Sequence, residues 1–300
     1  MAKIAVHGFI NTDIIGQVAA FAKIDQETEM NSLQISPGGS AANVAVGLAR
    51  LGEDVYFLGA VGGQLYTSFL LDSLEGVHRD YVQTIADAPS GMVMVLVNGD
   101  GLRTMYTYPG ANAQYDVTQI PQRFIQDLDF LHMSSPRVPQ ARQLVQWKRQ
   151  NPRLRVSFDP SSLLTKKGLA CLEPLLSETD ILFVNRTELH DLFPDQQIDQ
   201  ALQTLHGLGI QEIFVKRGRD GAVYSSLSDH SREVLSLPAQ SVKAVDSTGS
   251  GDAFAIGVLY GFARGWSKEK ILQGGITLGG RVVARMGARD GLPFAGEWGG

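Results

Sequence analysis

Cysteine is nearly missing from this chain. Cys171 is the single one among 300 residues. No intramolecular disulfide is possible, which fits a reducing compartment, and a lone thiol with no base beside it in sequence is read as inert. Charge is modest too: charged residues make up 19% and the formal net charge is −5. No run of Lys and Arg forms a nucleic-acid footprint. The nearest approach, Lys148-Arg149 with Arg153 and Arg155, reads as a solvated helix end, so nucleic acid is not expected as a partner. Long hydrophobic runs are absent. The longest, Ala253–Ala263, is too short and too rich in glycine to span a bilayer, so no membrane partner is expected. The start, Met-Ala-Lys-Ile-Ala-Val-His, enters a strand pattern without a signal-peptide core, and the expected location is cytoplasmic. His7, His132, His190 and His206 lack metal-ligand spacing. With His78 and His230 they are assigned structural roles.

Short apolar runs do recur. Ile4–Val6, Val55–Leu58, Phe130–Met133, Val156–Phe158, Ile181–Val184, Ile213–Val215 and Val242–Val245 are strand candidates, with helical patterns between several of them. That rhythm predicts an α/β fold with a mostly parallel sheet covered on both faces. Ligands of such sheets bind at the carboxyl ends of strands. Asn11, Asp13, Asp159, Asn185 and Asp246 each follow a strand candidate. Two segments break the rhythm. Met92–Val97 and Arg103–Tyr108 flank Asn98-Gly99-Asp100-Gly101, which reads as a β-hairpin. Ile14–Ala19 and Ser32–Ser36 are a weaker strand pair.

The most informative string is Val-Asp-Ser-Thr-Gly-Ser-Gly-Asp-Ala-Phe-Ala-Ile-Gly at 245–257. An apolar run ends at Val245 and a helical pattern begins at Asp252. Gly249, Ser250 and Gly251 can turn successive backbone N–H groups toward one point, a concave anion site at the positive end of the helix. Asp252 stands at its mouth. A hole for negative charge beside a base suits phosphoryl transfer to a hydroxyl. Spacing excludes two other glycine loops. A Walker loop would have Gly-Lys-Ser/Thr where Gly251 is followed by Asp252, and a dinucleotide fingerprint would have glycine where Phe254 stands. The plain alternative is a strand-turn-helix joint with Asp252 stabilising the first helical turn. The small residues Ala253, Gly257, Gly261 and Gly265 recur every four positions and predict close packing of this helix on a neighbour.

This string closely resembles the C-terminal signature of the ribokinase-like (PfkB-type) carbohydrate kinases. Pro37-Gly38-Gly39-Ser40-Ala41-Ala42-Asn43, a glycine turn opening a helix, resembles their N-terminal signature. The resemblance runs from Val6 to about Gly291. It implies one kinase domain over residues 1–300, a three-layer α/β/α fold with a mostly parallel central sheet, and a small β-sheet lid from about 14–36 and 90–112. It implies that Asp252 is the catalytic base and that Gly249, Ser250 and Gly251 form the anion hole. Asn11, Asp13, Gly39 and Asn43 would hold the acceptor; taken singly, Asn11 and Asp13 read as turn formers. Asn185 and Glu188 resemble the Asn-x-x-Glu motif that organises Mg²⁺ and the ATP phosphates, although a Glu near a helix start is common. Lys216, Gly218 and Gly221 match a turn that contacts ATP, or else form a hairpin turn. Asp246 and Thr248 match a monovalent-cation site, K⁺ for instance, with Asp246 capping its own loop as an equal alternative. A homodimer through the lid is also compatible with the resemblance.

Three departures concern the substrate. Ribokinases usually carry Gly-Gly-Lys-Gly-Ala-Asn, and here Ser40 replaces the Lys. The strand Phe130–Met133 is followed by Ser134-Ser135-Pro136-Arg137, without the sugar-contacting Glu. Gly62-Gly63-Gln64 replaces a Gly-x-Asp. The expected activity is transfer of the γ-phosphate of MgATP to a primary hydroxyl of a sugar. The alternative acceptor is a nucleoside, with Tyr106 or Tyr108 as a stacking wall. A non-catalytic sugar- or nucleotide-binding protein is the third reading, and the intact Asp252 speaks against it.

Overall fold

The computed structural model describes residues 1–228 and 231–298. His230 and its expected structural role fall outside them. Thirteen strands run in chain order: β1 Lys3–Gly8, β2 Asn11–Val18, β3 Met30–Gly38, β4 Asp54–Gly62, β5 Val82–Ile85, β6 Gly91–Val97, β7 Arg103–Tyr108, β8 Phe130–Ser134, β9 Arg155–Asp159, β10 Ile181–Asn185, β11 Glu212–Lys216, β12 Ala222–Ser228 and β13 Ser231–Leu237. Nine of them form one sheet in the order β13-β12-β11-β10-β9-β8-β1-β4-β5. From β11 to β5 every neighbouring pair is parallel, and β12 and β13 add an antiparallel edge.

The near-continuous apolar strands follow from burial on both faces. In β10, Ile181 and Phe183 join one core with the helices Ser40–Arg50 and Ser250–Ala263, while Leu182 and Val184 join the core on the opposite face. That gives helix, sheet and helix layers. The chain moves outward from β1 to β4 and β5 on one side, and from β8 to β11 on the other. The order therefore reverses between β1 and β8, where open α/β sheets form their binding crevice.

Six of the seven strand candidates are strands. Val242–Val245 is not. Val242 and Val245 are exposed, and the Val245 N–H bonds the Val283 carbonyl beyond the helix interior instead of a ladder. The sheet edge is taken by β13, whose Ser-Arg-Glu-Val-Leu-Ser-Leu lacks a strong apolar signature. Asp246 consequently lies in a loop that follows no strand.

The second sheet has the order β3-β2-β6-β7. It contains both segment pairs that broke the sequence rhythm. Its cross-strand registers place Ile35, Ile14, Met94 and Tyr106 in one row. Asp13 and Ile15 occupy the alternate positions of β2, so they point to the other face.

Helix Ser250–Ala263 packs on helix Lys268–Val283 through the expected small stripe. A Cβ on Gly257 would stand 2.5 Å from the Gly274 carbonyl oxygen. Gly265 has a different role from the one expected. It follows the helix end, its N–H bonds the Phe262 carbonyl, and the Trp266 N–H bonds the Gly261 carbonyl, which is a Schellman stop.

Candidate active site

Helix Ser250–Ala263 begins two residues earlier than the sequence pattern predicts. Gly249 is its N-cap with φ 76°, and a Cβ there would meet Ala288 Cβ at 2.6 Å. Glycine is required both by the left-handed backbone and by the close approach. No side chain caps this helix; the Ser250 N–H bonds the Ser247 carbonyl, and the N–H groups of Gly251 and Asp252 are left to bind something else. Asp252 is the third helical residue.

The Asp252 carboxylate receives one donor on each oxygen. Ser40 Oγ donates to Oδ1, and Asn43 Nδ2 donates to Oδ2 at 2.8 Å. Ser40 in turn accepts from Ser134 Oγ at 2.7 Å. Ser40 and Asn43 open helix Ser40–Arg50, and Ser134 ends β8. Gly39 makes the turn before that helix, with φ 98° and the Phe9 carbonyl oxygen 2.3 Å from a would-be Cβ. The pKa of Asp252 is raised by burial, and the hydrogen bonds from Ser40 and Asn43 hold the rise back.

A cavity of about 490 Å³ is lined among others by Asp13, Ser36, Ser73, Thr248 and Arg289, and its Arg289 connects through Asn43 to the Asp252 carboxylate. Asp13 crosses the backbone of β3 so closely that a Cβ on Gly38 would stand 2.0 Å from Asp13 Oδ2. Its Oδ1 is buried without a hydrogen-bond partner. Burial raises the Asp13 pKa from 3.8 to about 7, with Arg289 opposing the rise and Asp252 adding to it. Asn11, by contrast, is engaged: its Oδ1 accepts from Asn112 Nδ2 at 3.1 Å, and Asn112 also bonds the Ile10 and Pro109 carbonyls. That cluster ties the start of β2 to the segment that follows β7.

A second buried group stands behind the signature loop. Lys216 ends β11 and pairs with Asp159 at the end of β9, Nζ to Oδ2 2.6 Å. A Cβ on Gly251 would lie 3.4 Å from that ammonium. Glu188 is buried nearby. Burial and then Asp159 raise its pKa, against the pull of Lys216. Asn185 and Glu188 form a capping box at the start of helix Arg186–Leu192, each side chain accepting the other's backbone N–H at 2.9 and 2.8 Å. The capping alternative is thus realised, and Glu188 Oε2 is the oxygen it uses.

Other expected residues are committed elsewhere. Asp246 accepts from the Thr248 N–H and hydroxyl and from the Gly287 N–H, closing its own loop. Gly218 and Gly221 lie in the turn between β11 and β12, and the Leu237 carbonyl oxygen would stand 2.0 Å from a Cβ on Gly221. Packing against β13 therefore explains Gly221 without a ligand. Tyr106 and Tyr108, the suggested stacking wall, are 64% and 55% exposed and do not line the cavity. Three of the assigned histidines are core hydrogen bonders: His7 to the Leu58 carbonyl, His132 to Ser157, and His206 to the Ile210 carbonyl and Ser225.

Sequence reasoning left four site residues without a role. Ser134 and Asp159 sit at strand ends, which is a usable signal. Arg289 lies in a loop after helix Lys268–Val283, and Arg103 reaches Ser247 and Thr248 from β7. Neither is marked by any local pattern.

The assembled groups can take a proton from a hydroxyl and stabilise negative charge next to it. Comparison with known proteins points the same way. A ribokinase of Bacillus subtilis is 28% identical over 304 residues, covering 99% of this chain and 98% of its own length. An ATP-dependent ribose-1-phosphate kinase of Halopiger xanaduensis is 28% identical, covering 97% of this chain and 95% of its own. The crystal structure of a Thermotoga maritima ribokinase superposes with a TM-score of 0.86 at 25% identity, over 99% of this chain and 98% of that one. The family model for pfkB carbohydrate kinases matches residues 1–295, and with the fold and the signature loop in agreement, the chain belongs to the pfkB family of carbohydrate kinases.

Proposed function

We propose that the protein is an ATP-dependent kinase that phosphorylates a primary hydroxyl of a sugar. One observation carries the reading: Asp252, gripped by Ser40 and Asn43, sits in the first turn of a helix without a side-chain cap, within electrostatic reach of Asp13 on the cavity wall, whose buried Oδ1 has no partner. Asp13, Gly39 and Asn43 hold the acceptor, with Asn11 fixing the base of the second sheet, which serves as a lid. The acceptor oxygen attacks the γ-phosphorus, its proton passes to Asp252, and the bond to ADP breaks. The N–H groups around Gly249, Ser250 and Gly251 stabilise the charge on the transferring group. Asp252 is a modest base, and a loose transition state loses the proton late, so a modest base is sufficient.

ATP lies over the signature loop and the turn with Lys216, Gly218 and Gly221. Mg²⁺ fits near Glu188, with Asn185 and Asp159 beside it. Two mutually repelling carboxylates, at present balanced by Lys216, form an oxygen site that a cation relieves, and magnesium keeps most of its waters in such sites. When bound, it neutralises phosphate charge. Asp246 faces the loop that would hold a monovalent cation such as K⁺. The nucleoside alternative gains no support from Tyr106 or Tyr108. The apolar row Ile35, Ile14, Met94 and Tyr106 on the outer face of the lid supports a homodimer through that face.

The test is a screen of sugars and nucleosides with MgATP, following ADP release. Sugar-dependent turnover is expected. Asp252→Asn should lower kcat by at least ~10²-fold while ATP still binds. Near-normal turnover of that variant would remove Asp252 from the role.

A further inference from the structure

We infer that Arg289 is a positioning residue for the base: through the side chain of Asn43 it fixes the carboxylate of Asp252. The inference rests on the kinase reading of Asp252. Arg289 Nε donates to Asn43 Oδ1 at 2.8 Å, and Asn43 Nδ2 donates to Asp252 Oδ2 at 2.8 Å. A guanidinium has donors only and an ionised carboxylate has acceptors only. Asn43 therefore has one orientation that satisfies both neighbours, and Arg289 sets it.

The guanidinium is itself held. Nη1 donates to the Ser73 carbonyl at 2.7 Å, and the Arg289 carbonyl accepts from Arg50 Nη1 at 2.9 Å. Arg289 is 9% exposed, and its Nη2 is buried without a partner. A cation enclosed in this way is costly for the fold unless nearby charge answers it. The answering charges are Asp13 and Asp252, against the like charge of Arg50. Packing alone would be met by an apolar side chain, so the retained charge points to the site.

The effect on Asp252 has two parts. Hydrogen bonds in a chain polarise each other, so Arg289 makes Asn43 a better donor to the carboxylate. Its charge also counts directly. Asp252 is faced by Asp13 from β2, Asp159 from β9, Lys216 from β11 and Arg289 from the loop after helix Lys268–Val283. Lys216 is shared with Asp159. Without Arg289 the base faces two carboxylates and one committed ammonium. Asp252 should then hold its proton to higher pH and lose its fixed direction toward the acceptor hydroxyl.

The experiment compares wild type, Arg289→Met, Asn43→Ala and the double variant, with MgATP and the best sugar from the screen. Arg289→Met should lower kcat about tenfold, the lower end for loss of a supporting hydrogen bond, and move the acid limb of kcat to higher pH. KM for ATP should not change. The losses in the double variant should be clearly less than additive, because Arg289 acts in part through Asn43. A ¹³C-carboxyl NMR titration, with Asp252→Asn identifying the resonance, reads the same coupling without turnover. The Asp252 midpoint should rise in both single variants. Additive losses in kcat, or an unmoved midpoint, would overturn the inference. If wild type phosphorylates nothing, the kinase reading falls, and the midpoint still decides whether Arg289 holds Asp252. If Arg289→Met does not fold, Arg289→Lys replaces it; an ammonium cannot span Asn43 and Ser73 together, so a smaller rise is expected and an unchanged midpoint refutes.

Discussion

Asp13 should cost this protein stability, and replacing it should reveal how much. In the cavity its Oδ1 is buried without a partner, and its pKa is raised from 3.8 to about 7, mainly by burial. Between these values the folded protein keeps a proton that the unfolded chain releases. Stability therefore falls as pH rises through that window, and above pH 7 the loss is complete. Roughly three pH units at 1.36 kcal/mol each make about 4 kcal/mol. Asn has a similar shape and no charge to desolvate. Asp13→Asn should be more stable than wild type by about 4 kcal/mol at pH 8.5, with the difference fading as pH falls from 7 to 4. Urea denaturation at pH 8.5, 6 and 4 reads this directly. The same variant should lose ~2 kcal/mol of kcat/KM for the sugar, about thirty-fold, since a charged hydrogen bond to the acceptor is gone. A variant no more stable than wild type at pH 8.5, or a gain equal at all three values, would show that Asp13 is not held against desolvation and would refute the reasoning.

Glu188→Gln keeps an oxygen for the capping box, so the fold should survive while the Mg²⁺ concentration for half activity rises. An unchanged Mg²⁺ dependence, read from initial rates across a Mg²⁺ series, would leave Glu188 with helix capping alone. Gly257→Ala forces a methyl against the Gly274 carbonyl and should destabilise by ~1–3 kcal/mol, seen as a lower Tm.

What could be read from the sequence follows from how local each signal is. The parallel strands were legible because burial on both faces makes each a continuous apolar run, as in Ile181–Val184. The hairpin of β6 and β7 was legible from its glycine turn. The signature loop was legible because Gly249, Gly251 and Asp252 do their work within four residues. β13 was not, because an edge strand needs apolar residues on only one face and Ser231–Leu237 mixes polar and apolar positions. Val242–Val245 misled for the converse reason: its valines stay exposed, and the Val245 N–H bonds the end of helix Lys268–Val283 instead of a strand. Asn185 and Glu188 fitted two readings from spacing alone. Their capping bonds are a local consequence of the string, while Glu188's approach to Asp159 and Lys216 depends on the order of β9, β10 and β11 in the sheet.

The donors around Asp252 were hidden because they come from distant segments. Ser40 is 212 positions from Asp252, and Ser134 is 94 from Ser40. They meet because β1 and β8 are neighbours and the glycine turn before helix Ser40–Arg50 passes the carboxyl end of β8. Ser40 stands where ribokinases usually carry a lysine, a departure that concerns the substrate. The structure places a cation at the same carboxylate from another side: Arg289, acting through Asn43. The Ser134–Ser40 pair reaches Asp252 from the end of β8, whereas Arg289 reaches it through Asn43 from the wall of the cavity that Asp13 lines. Selectivity should accordingly follow residues 40 and 134, and the rate of phosphoryl transfer should follow the loop at 249–252 together with Arg289.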